Sequence, residues 1–545
     1  MQEKKGYVSF VLHAHLPFIH HPESNDYLEE SWLYEAISET YIPLLTYFKK
    51  LVDEGVNFRI TMSMTPPLLS MLDNELLQQK YIHYLEQLIE LSEKEIKRTS
   101  YDERLNRLSH YYYERYSNDL HLFKDVFKCN LIEQFKHFQD IGVLEIITCG
   151  ATHGYFPILY VNEKTVRAQI AVGVQTYEKY FGKGSTNCMT ESAAPIQYFF
   201  RRYASATNLV NVDIGGGTTD IAFAKNKEIQ FVTSFKFASN ALFEDPFSDL
   251  NKNNGIIDWS KDSILQLIKD KGLNELERIF KSPNNANPAN LASFLFSLKD
   301  NSMIRGIDSK LIDFNYMLQE DEEFKIVFIL FYTSIIYHIA NIVKVKKLSL
   351  PRHITFSGNG SKVIKVVSML LAKYTKLIFE EVTGEKYVGE LDILGLDKNA
   401  NPKEVTCKGG IIGFKENNER DKIIVFKGCG SGFVDESDTY DQVDDDYIRN
   451  TVEAVRKFFD FALNTMNGVF NFDENFGVTL SSLNIAKDVC YKDISTFLEK
   501  GIAQRREEAE GQDRIEETFF FYPIKGVLNV LSQAIYESLQ NNIEK

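Results

Sequence analysis

The sequence predicts an α/β protein assembled from two unlike parts, and three observations carry that expectation. Strand-like runs alternate with long helical stretches from Tyr7 to Lys183. A short polar stretch, Gly184-Ser185-Thr186-Asn187, then interrupts the alternation. Beyond it, Leu209–Ile214 and Ile221–Ala224 read as two strands flanking the turn Gly215-Gly216-Gly217.

With 545 residues, 44% hydrophobic and 25% charged, the chain has material for several cores, which excludes a largely disordered protein. A formal charge of -15 opposes nucleic-acid backbones and anionic membrane surfaces, so neither is expected as a partner. Cys129, Cys149, Cys188, Cys407, Cys429 and Cys490 form no C-x-x-C pair and no Cys/His cluster. That pattern argues against a zinc site or a disulfide framework and reads as reduced thiols in the cytoplasm.

The first strand is expected over Tyr7–Leu12, delivering His13 to a loop; Ser9, His13 and His15 break its apolar run, so it does not read as a signal peptide. From Leu28 to Phe48, Trp32, Leu33, Ala36, Ile37, Tyr41, Leu44 and Leu45 recur at three- and four-residue spacings, one apolar face of a helix. A second strand, Phe58–Met64, stops at Pro66-Pro67. Charged helices fill Asn74–Asp140, Asp140-Ile141-Gly142 reads as a helix-to-strand turn, and a third strand, Leu144–Thr148, runs into Gly150. Such alternation implies parallel strands with helical crossovers, and barrel enzymes place their chemistry at the carboxyl ends of those strands.

Past the seam, about Asn251 to Leu350 is expected to be mainly helical, with a loop at Ser282–Pro288. Phe324–Val345 is long and apolar, but it holds Lys325, His338 and Asn341 and precedes a strand-like stretch, so a buried helix is expected there instead of a membrane span. A strand and turn, Ile354–Gly360, lead to a helix through Tyr374; 419–434 reads as a hairpin, 435–447 as an acidic loop and 448–545 as helices. The acidic stretch lacks the glycine and terminal Glu of a calcium loop.

Three segments occur in order: Val11-Leu12-His13-Ala14-His15-Leu16-Pro17-Phe18; Leu28–Ala36 with Glu39-Thr40-Tyr41; and Cys149-Gly150-Ala151-Thr152-His153-Gly154-Tyr155-Phe156-Pro157. Together they make residues 1–183 resemble glycoside hydrolase family 57, more closely its 1,4-alpha-glucan branching enzymes. The resemblance implies a partial (β/α) barrel acting on α-glucan without a cofactor. His13, His15 and His153 would line the subsite beside the scissile bond, and Trp32 or Tyr155 would offer a face to a sugar ring. Retaining chemistry also needs two carboxyl groups about 5 Å apart. Glu191 stands within about a residue of the family's nucleophile position, yet its neighbours Ser192-Ala193-Ala194-Pro195 lack the family's continuation, and no acid/base Asp is recognisable downstream.

Asp213-Ile214-Gly215-Gly216-Gly217-Thr218-Thr219-Asp220 has the composition of a phosphate-gripping hairpin: glycines let backbone amides approach phosphate oxygens, while Asp213 and Asp220 reach a hydrated magnesium ion. With Glu191–Pro195, Phe356-Ser357-Gly358-Asn359-Gly360-Ser361-Lys362 and Cys407-Lys408-Gly409-Gly410, it makes residues 188–545 resemble the second part of the actin and DnaK-type ATPase superfamily. By that resemblance 188–434 is an incomplete nucleotide-binding module with a helical insert and 448–545 its helical end. Glu191–Pro195 and Cys407–Gly410 would open the two connecting segments, and Gly358, Gly360 and Ser361 would contact adenosine, Ser361 opening the next helix. The first phosphate loop, an Asp-x-Gly on an opening strand, is missing, so ATP would meet half its usual clamp.

The combined expectation is a catalytically incomplete α-glucan protein of the branching or transglycosylating kind, fused to an ATP- and magnesium-binding module. The alternative is a nucleotide-binding scaffold or polymerising protein with a non-catalytic N-terminal appendage. An open sheet edge in a truncated barrel would favour self-association.

Overall fold

The computed structural model of the chain describes residues 10–24, 27–159, 162–183, 194–243, 255–281, 288–298, 313–367, 370–394, 404–416, 439–508, 515 and 517–543. The chain divides into two compact units, Met1–Thr186 and Asn187–Lys545, both mixed α/β and mostly helical. Glu191, Cys188, the 419–434 hairpin and Cys429 lie outside the described residues.

Among its described residues the first unit holds three parallel strands in spatial order, β1 (Val11–Ala14), β2 (Ile60–Met64) and β3 (Leu144–Ile147). β1 overlaps the expected Tyr7–Leu12 at Val11 and Leu12 and runs past its expected end, while Tyr7–Ser9 lie outside the described residues. His13 and Ala14 pair with Ser63 and Met64, so the ladder runs past His13 and stands its ring on a sheet face, not in a loop. Strand alternation puts Ala14, Met62, Met64, Leu144 and Ile146 on the buried face, while Val11, His13 and Ile147 lie on the other.

The crossovers are α1 (Ser31–Ala36), a π turn, α2 (Ile42–Asp53), α3 (Pro66–Leu72), α4 (Glu75–Arg98), α5 (Glu103–Leu120) and α6 (Leu131–Asp140). Pro66 and Pro67 sit in the first turn of α3, where the missing N–H costs nothing. Asn74 and Asp102 cap α4 and α5 through their side-chain oxygens. Asp140-Ile141-Gly142 is a helix-to-strand turn, with Gly142 at φ +79°. After β3 come α7 (Phe156–Leu159) and α8 (Glu163–Phe181), the latter ended by Gly182 at φ +81°.

A buried ion pair ties this unit together. Lys80 donates to both carboxylate oxygens of Glu30, at 2.8 and 3.1 Å, and to the carbonyls of His21 (2.8 Å) and Ser24 (2.7 Å). Glu30 also accepts from the His21 amide at 2.8 Å and the Tyr34 hydroxyl at 3.1 Å. The loop leaving β1 is thereby fixed to α4.

The second unit begins with α9 (Ala194–Arg202) and contains β4 (Asn208–Ile214), β5 (Thr219–Lys225), β6 (Glu228–Phe235), β7 (His353–Ser357) and β8 (Asp392–Leu394). Their spatial order is β6-β5-β4-β7-β8. The first three form an antiparallel meander, and β7 and β8 add in parallel to β4. β6 and β8 extend the sheet beyond the expected strands. The β5–β6 turn is Asn226-Lys227, both at positive φ (53° and 72°), as a two-residue hairpin turn requires.

Between β6 and β7 lie α10 (Asn240–Phe243), α11 (Gly255–Asp270), α12 (Asn274–Phe280), α13 (Pro288–Leu298), α14 (Phe314–Glu320) and α15 (Lys325–Lys346). Pro288, expected in a loop, opens α13, a position that suits its fixed φ. Among the described residues α15 alone is long and apolar enough to cross a membrane, and 89% of its most apolar window is buried inside the protein. A helix apolar on all sides belongs in a core.

After β7, a 3-10 stretch over Asn359–Val367 leads to α16 (Leu371–Thr383). Ser361 sits inside that stretch and bonds back to the Gly358 carbonyl at 2.7 Å, so it does not open a helix as expected. α17 (Glu404–Glu416) packs on α9 so tightly that a Cβ on Gly409 would lie 1.7 Å from the Ala194 carbonyl oxygen. The expected acidic loop 435–447 is in part helical: Asp444 caps α18 (Asp445–Asp460), and Asp445 and Asp446 fill its first turn, where carboxylates oppose the helix dipole favourably. Among the described residues five further helices follow: α19 (Asn467–Phe470), α20 (Phe472–Phe476), α21 (Leu480–Val489), α22 (Ile494–Glu508) and α23 (Phe521–Ile543).

Candidate functional site

In the first unit, the carboxyl ends of all three strands converge on three imidazoles. His15 and His153 stack with ring centroids 4.0 Å apart and planes inclined by 16°; His13 lies 6.0 Å from His15 and 5.3 Å from His153. His13 stands on β1 and His15 is the first residue past its end.

Each of those two rings is held by a hydroxyl from β2 or the residue after it. His13 Nδ1 is hydrogen-bonded to Ser63 Oγ at 2.9 Å, and His15 Nδ1 to Thr65 Oγ1 at 2.9 Å. Ser63 is the register partner of His13, and the Thr65 amide donates to Ala14 O at 3.4 Å. With Nδ1 engaged, Nε2 is the nitrogen that turns to a ligand. Burial, then the nearby rings of His153 and His13, hold the His15 pKa below its ordinary value.

His153 reaches the cluster by a different route. Its backbone is left-handed, at φ 56°, and its amide bonds to Gly150 O at 3.0 Å. α8 staples the loop before it: Gln169 accepts from the amides of Ala151 and Thr152, each at 2.9 Å, and its amide nitrogen donates to Thr152 Oγ1 at 2.8 Å. Two glycines permit this approach, since a Cβ on Gly173 would lie 2.3 Å from Cys149 O and one on Gly150 2.7 Å from the Phe156 ring. Trp32, on α1, and Tyr155, just beyond His153, are 48% and 70% exposed, open enough for a ring to stack on either. Ser63 and Thr65 were not singled out by sequence reasoning. Their signal was polar side chains two residues apart ending an apolar strand.

In the second unit, the glycine turn closes the β4–β5 hairpin. Asp213 and Asp220 are direct cross-strand partners, which puts two carboxylates on one sheet face. Asp213 Oδ2 accepts from Ser357 Oγ at 2.6 Å and from Thr406 Oγ1 at 3.4 Å. The Gly358 turn lies directly against the hairpin: a Cβ on Gly358 (φ +80°) would sit 2.4 Å from Asp213 Oδ1, and one on Gly360 2.2 Å from Gly215 O. Gly216, Gly217 and Thr218 are exposed. Thr219 is fully buried and donates to Phe237 O at 2.6 Å, which directs its hydroxyl into the sheet and not toward the loop. Among the described residues, no group of three or more His, Cys, Asp or Glu is arranged to hold a metal ion directly.

Residues 9–194 match glycosyl hydrolase family 57, so the N-terminal part carries a domain of that family. Branching enzymes are among its homologues. The 1,4-alpha-glucan branching enzyme TK1436 of Thermococcus kodakarensis is 40% identical over 178 residues, which are 33% of this chain and 26% of that protein. Its crystal structure, a complex with glucose and additives, is similar at 38% identity over 33% of this chain and 31% of that one, with a TM-score of 0.31. The GH57-type branching enzyme of Pyrococcus horikoshii is similar at 30% identity over 38% and 42% of the two chains, TM-score 0.31. The chain thus spans about a quarter of the length of the curated relative from Thermococcus.

Proposed function

We propose that the first unit is an α-glucan-binding surface of the branching-enzyme kind, and that the chain binds glucan with little or no glycosyl transfer. The observation that carries this reading is the gathering of His13, His15 and His153 within 6.0 Å at the carboxyl ends of three parallel strands. Imidazoles open to solvent there can exchange hydrogen bonds with sugar hydroxyls, and the family match over residues 9–194 covers the same segment. Transfer is not expected because the sequence offers Glu191 without a recognisable acid/base partner. Calorimetric titration with maltoheptaose tests the binding: affinity in the parent chain should fall at least tenfold in His153→Ala. Amylose turnover that vanished in Glu191→Gln would falsify the absence of transfer.

A second reading, for the second unit, is an adenine-nucleotide and magnesium site, and the interlocked glycine turns favour it. Gly358 and Gly360 occupy positions where any Cβ would strike Asp213 or the carbonyl oxygens of Ile214 and Gly215, so the two turns pack backbone to backbone beside two facing carboxylates. The close crossing of α9 and α17 at Ala194 and Gly409 also suits two connecting segments of an actin-like module. Gly215, Gly216, Gly217 and Thr218 would hold phosphate through their amides, Asp213 and Asp220 would hold magnesium through water, and the turn at Gly358–Ser361 would meet adenosine. Bound magnesium would supply charge neutralisation at the phosphates. Titration with ATP and magnesium, beside Asp213→Ala, tests this: binding should be present in the parent and lost in the variant. Nucleotide-dependent sedimentation separates a polymerising scaffold from a simple binding module.

A further inference from the structure

We propose a second sugar-ring site in the first unit, separate from the histidine cluster and resting on the α-glucan reading of that unit. It is a cavity of about 290 Å³ between the α1 entrance and α4, near the lower limit of small-ligand pockets and sized for a single ring. Tyr27, Tyr34 and Tyr84 supply aromatic faces, His83 and Gln87 supply the polar groups, and Lys80 lines the floor with its ammonium already engaged.

The platform is held in place before any ligand arrives. Tyr27 is 38% exposed, and the His21 ring stacks on it at 3.5 Å with planes 15° apart, which pins the tyrosine ring. His21 is itself clamped through its carbonyl by Lys80 and through its amide by Glu30. Tyr34 and Tyr84 lie 5.3 Å apart. A rigid aromatic face of this kind binds with little loss of side-chain freedom.

The polar groups select the ligand class. Gln87 and His83 are exposed on one face of α4, and the Gln87 amide nitrogen lies 3.0 Å from His83 Nε2, so that contact uses the amide as donor and leaves its carbonyl oxygen as the acceptor for a hydroxyl. The ammonium of Lys80 is matched by the Glu30 carboxylate, which removes a net charge from the pocket. Aromatic walls, an amide, an imidazole and no uncompensated charge suit a neutral hydroxylated ring, here one glucose unit of a glucan, better than an anion or a cation.

The test is calorimetric titration of the full chain with maltoheptaose, comparing the parent with Tyr27→Ala, Tyr27→Phe, Gln87→Ala and His153→Ala, each checked for fold by circular dichroism. Loss of one aromatic face or one amide hydrogen bond weakens binding about five- to tenfold, so Tyr27→Ala and Gln87→Ala should do so while Tyr27→Phe retains parent affinity. If Tyr27→Ala fails to fold, the exposed Gln87 decides the matter alone. Parent-like affinity in Tyr27→Ala and Gln87→Ala, with loss in His153→Ala, overturns the pocket and leaves the histidine site standing. Loss in the pocket variants with none in His153→Ala upholds the pocket and removes the histidine site. No binding by the parent chain overturns both.

Discussion

Replacing Lys80 by Met should destabilise the first unit by about 3–5 kcal/mol, the cost of stranding one partner of a buried ion pair. The ammonium reaches four acceptors, and the two side chains are 8% and 0% exposed. Methionine keeps most of the aliphatic stem, so the loss falls on the head group. Glu30 would be left with the His21 amide and the Tyr34 hydroxyl, and the carbonyls of His21 and Ser24 would lose their donor. The double variant Lys80→Met/Glu30→Gln buries no charge, its amide oxygen can accept from the His21 amide and its amide nitrogen can donate to the Tyr34 hydroxyl oxygen, so it should recover about 2 kcal/mol of the loss. Urea denaturation of the full chain reads both effects, provided the transition of the first unit is resolved. A loss under about 1 kcal/mol in Lys80→Met, or a double variant no better than the single, would refute the claim that this ion pair anchors the loop from β1.

Other outcomes follow from buried groups and close contacts. Asp119 is 4% exposed, and burial pushes its pKa up to about 6, so the folded state holds its proton more tightly than the unfolded state. Stability is then lost as pH rises from about 4 to about 6 and stays lost above, and Asp119→Asn should stabilise the chain by about 1–3 kcal/mol at pH 7.5, with no gain at pH 4, by denaturant midpoint. His338 shows the opposite sign. Surrounded by Phe235, Phe520 and Phe521, its pKa is depressed by burial to about 3, so the unfolded state binds the proton first and stability falls as pH drops below about 6.5. Between pH 7.5 and pH 5 this costs about 2 kcal/mol, and His338→Leu should remove that part of the acid sensitivity in a melting series. Gly360→Ala would drive a methyl against Gly215 O, 2.2 Å away, and should cut nucleotide affinity at least tenfold in the ATP titration while leaving maltoheptaose affinity unchanged.

Local signals made much of this legible. The proline pair after β2, the apolar period of α1 and α2 and the glycine turn between β4 and β5 each express a constraint confined to a few residues. The histidines themselves were also readable, because His13-Ala14-His15 and Gly150-Ala151-Thr152-His153 are short motifs that carry the family resemblance. The partners of those rings were not readable: Ser63 and Thr65 reach them only through the parallel register, which is set across 50 residues. The Lys80–Glu30 pair has the same separation and escaped for the same reason. β6 could have been found from Asn226-Lys227 between two strand-like runs, whereas β8 is three residues long and owes its place to pairing with β7. The expected end of β1 fell too early because its apolar residues were weighted over the ladder that carries it through His13 to Ala14.

The stapling of Cys149–Thr152 to α8 gives the histidine cluster a mechanical linkage. His13 and His15 are gripped by the sheet, but His153 rides on a loop whose Ala151 and Thr152 amides are held by Gln169 of α8 and whose Cys149 lies against Gly173 of the same helix. α8 is itself held further along, where Lys179 and Tyr180 donate to Asp73 at 2.9 and 2.7 Å and Tyr177 donates to Gln139 at 3.1 Å, so the loop inherits its place from the docking of the whole helix. The 4.0 Å stack of His15 and His153 thus depends on where α8 is docked, whereas the spacing of His13 and His15 is set by the β1 segment alone.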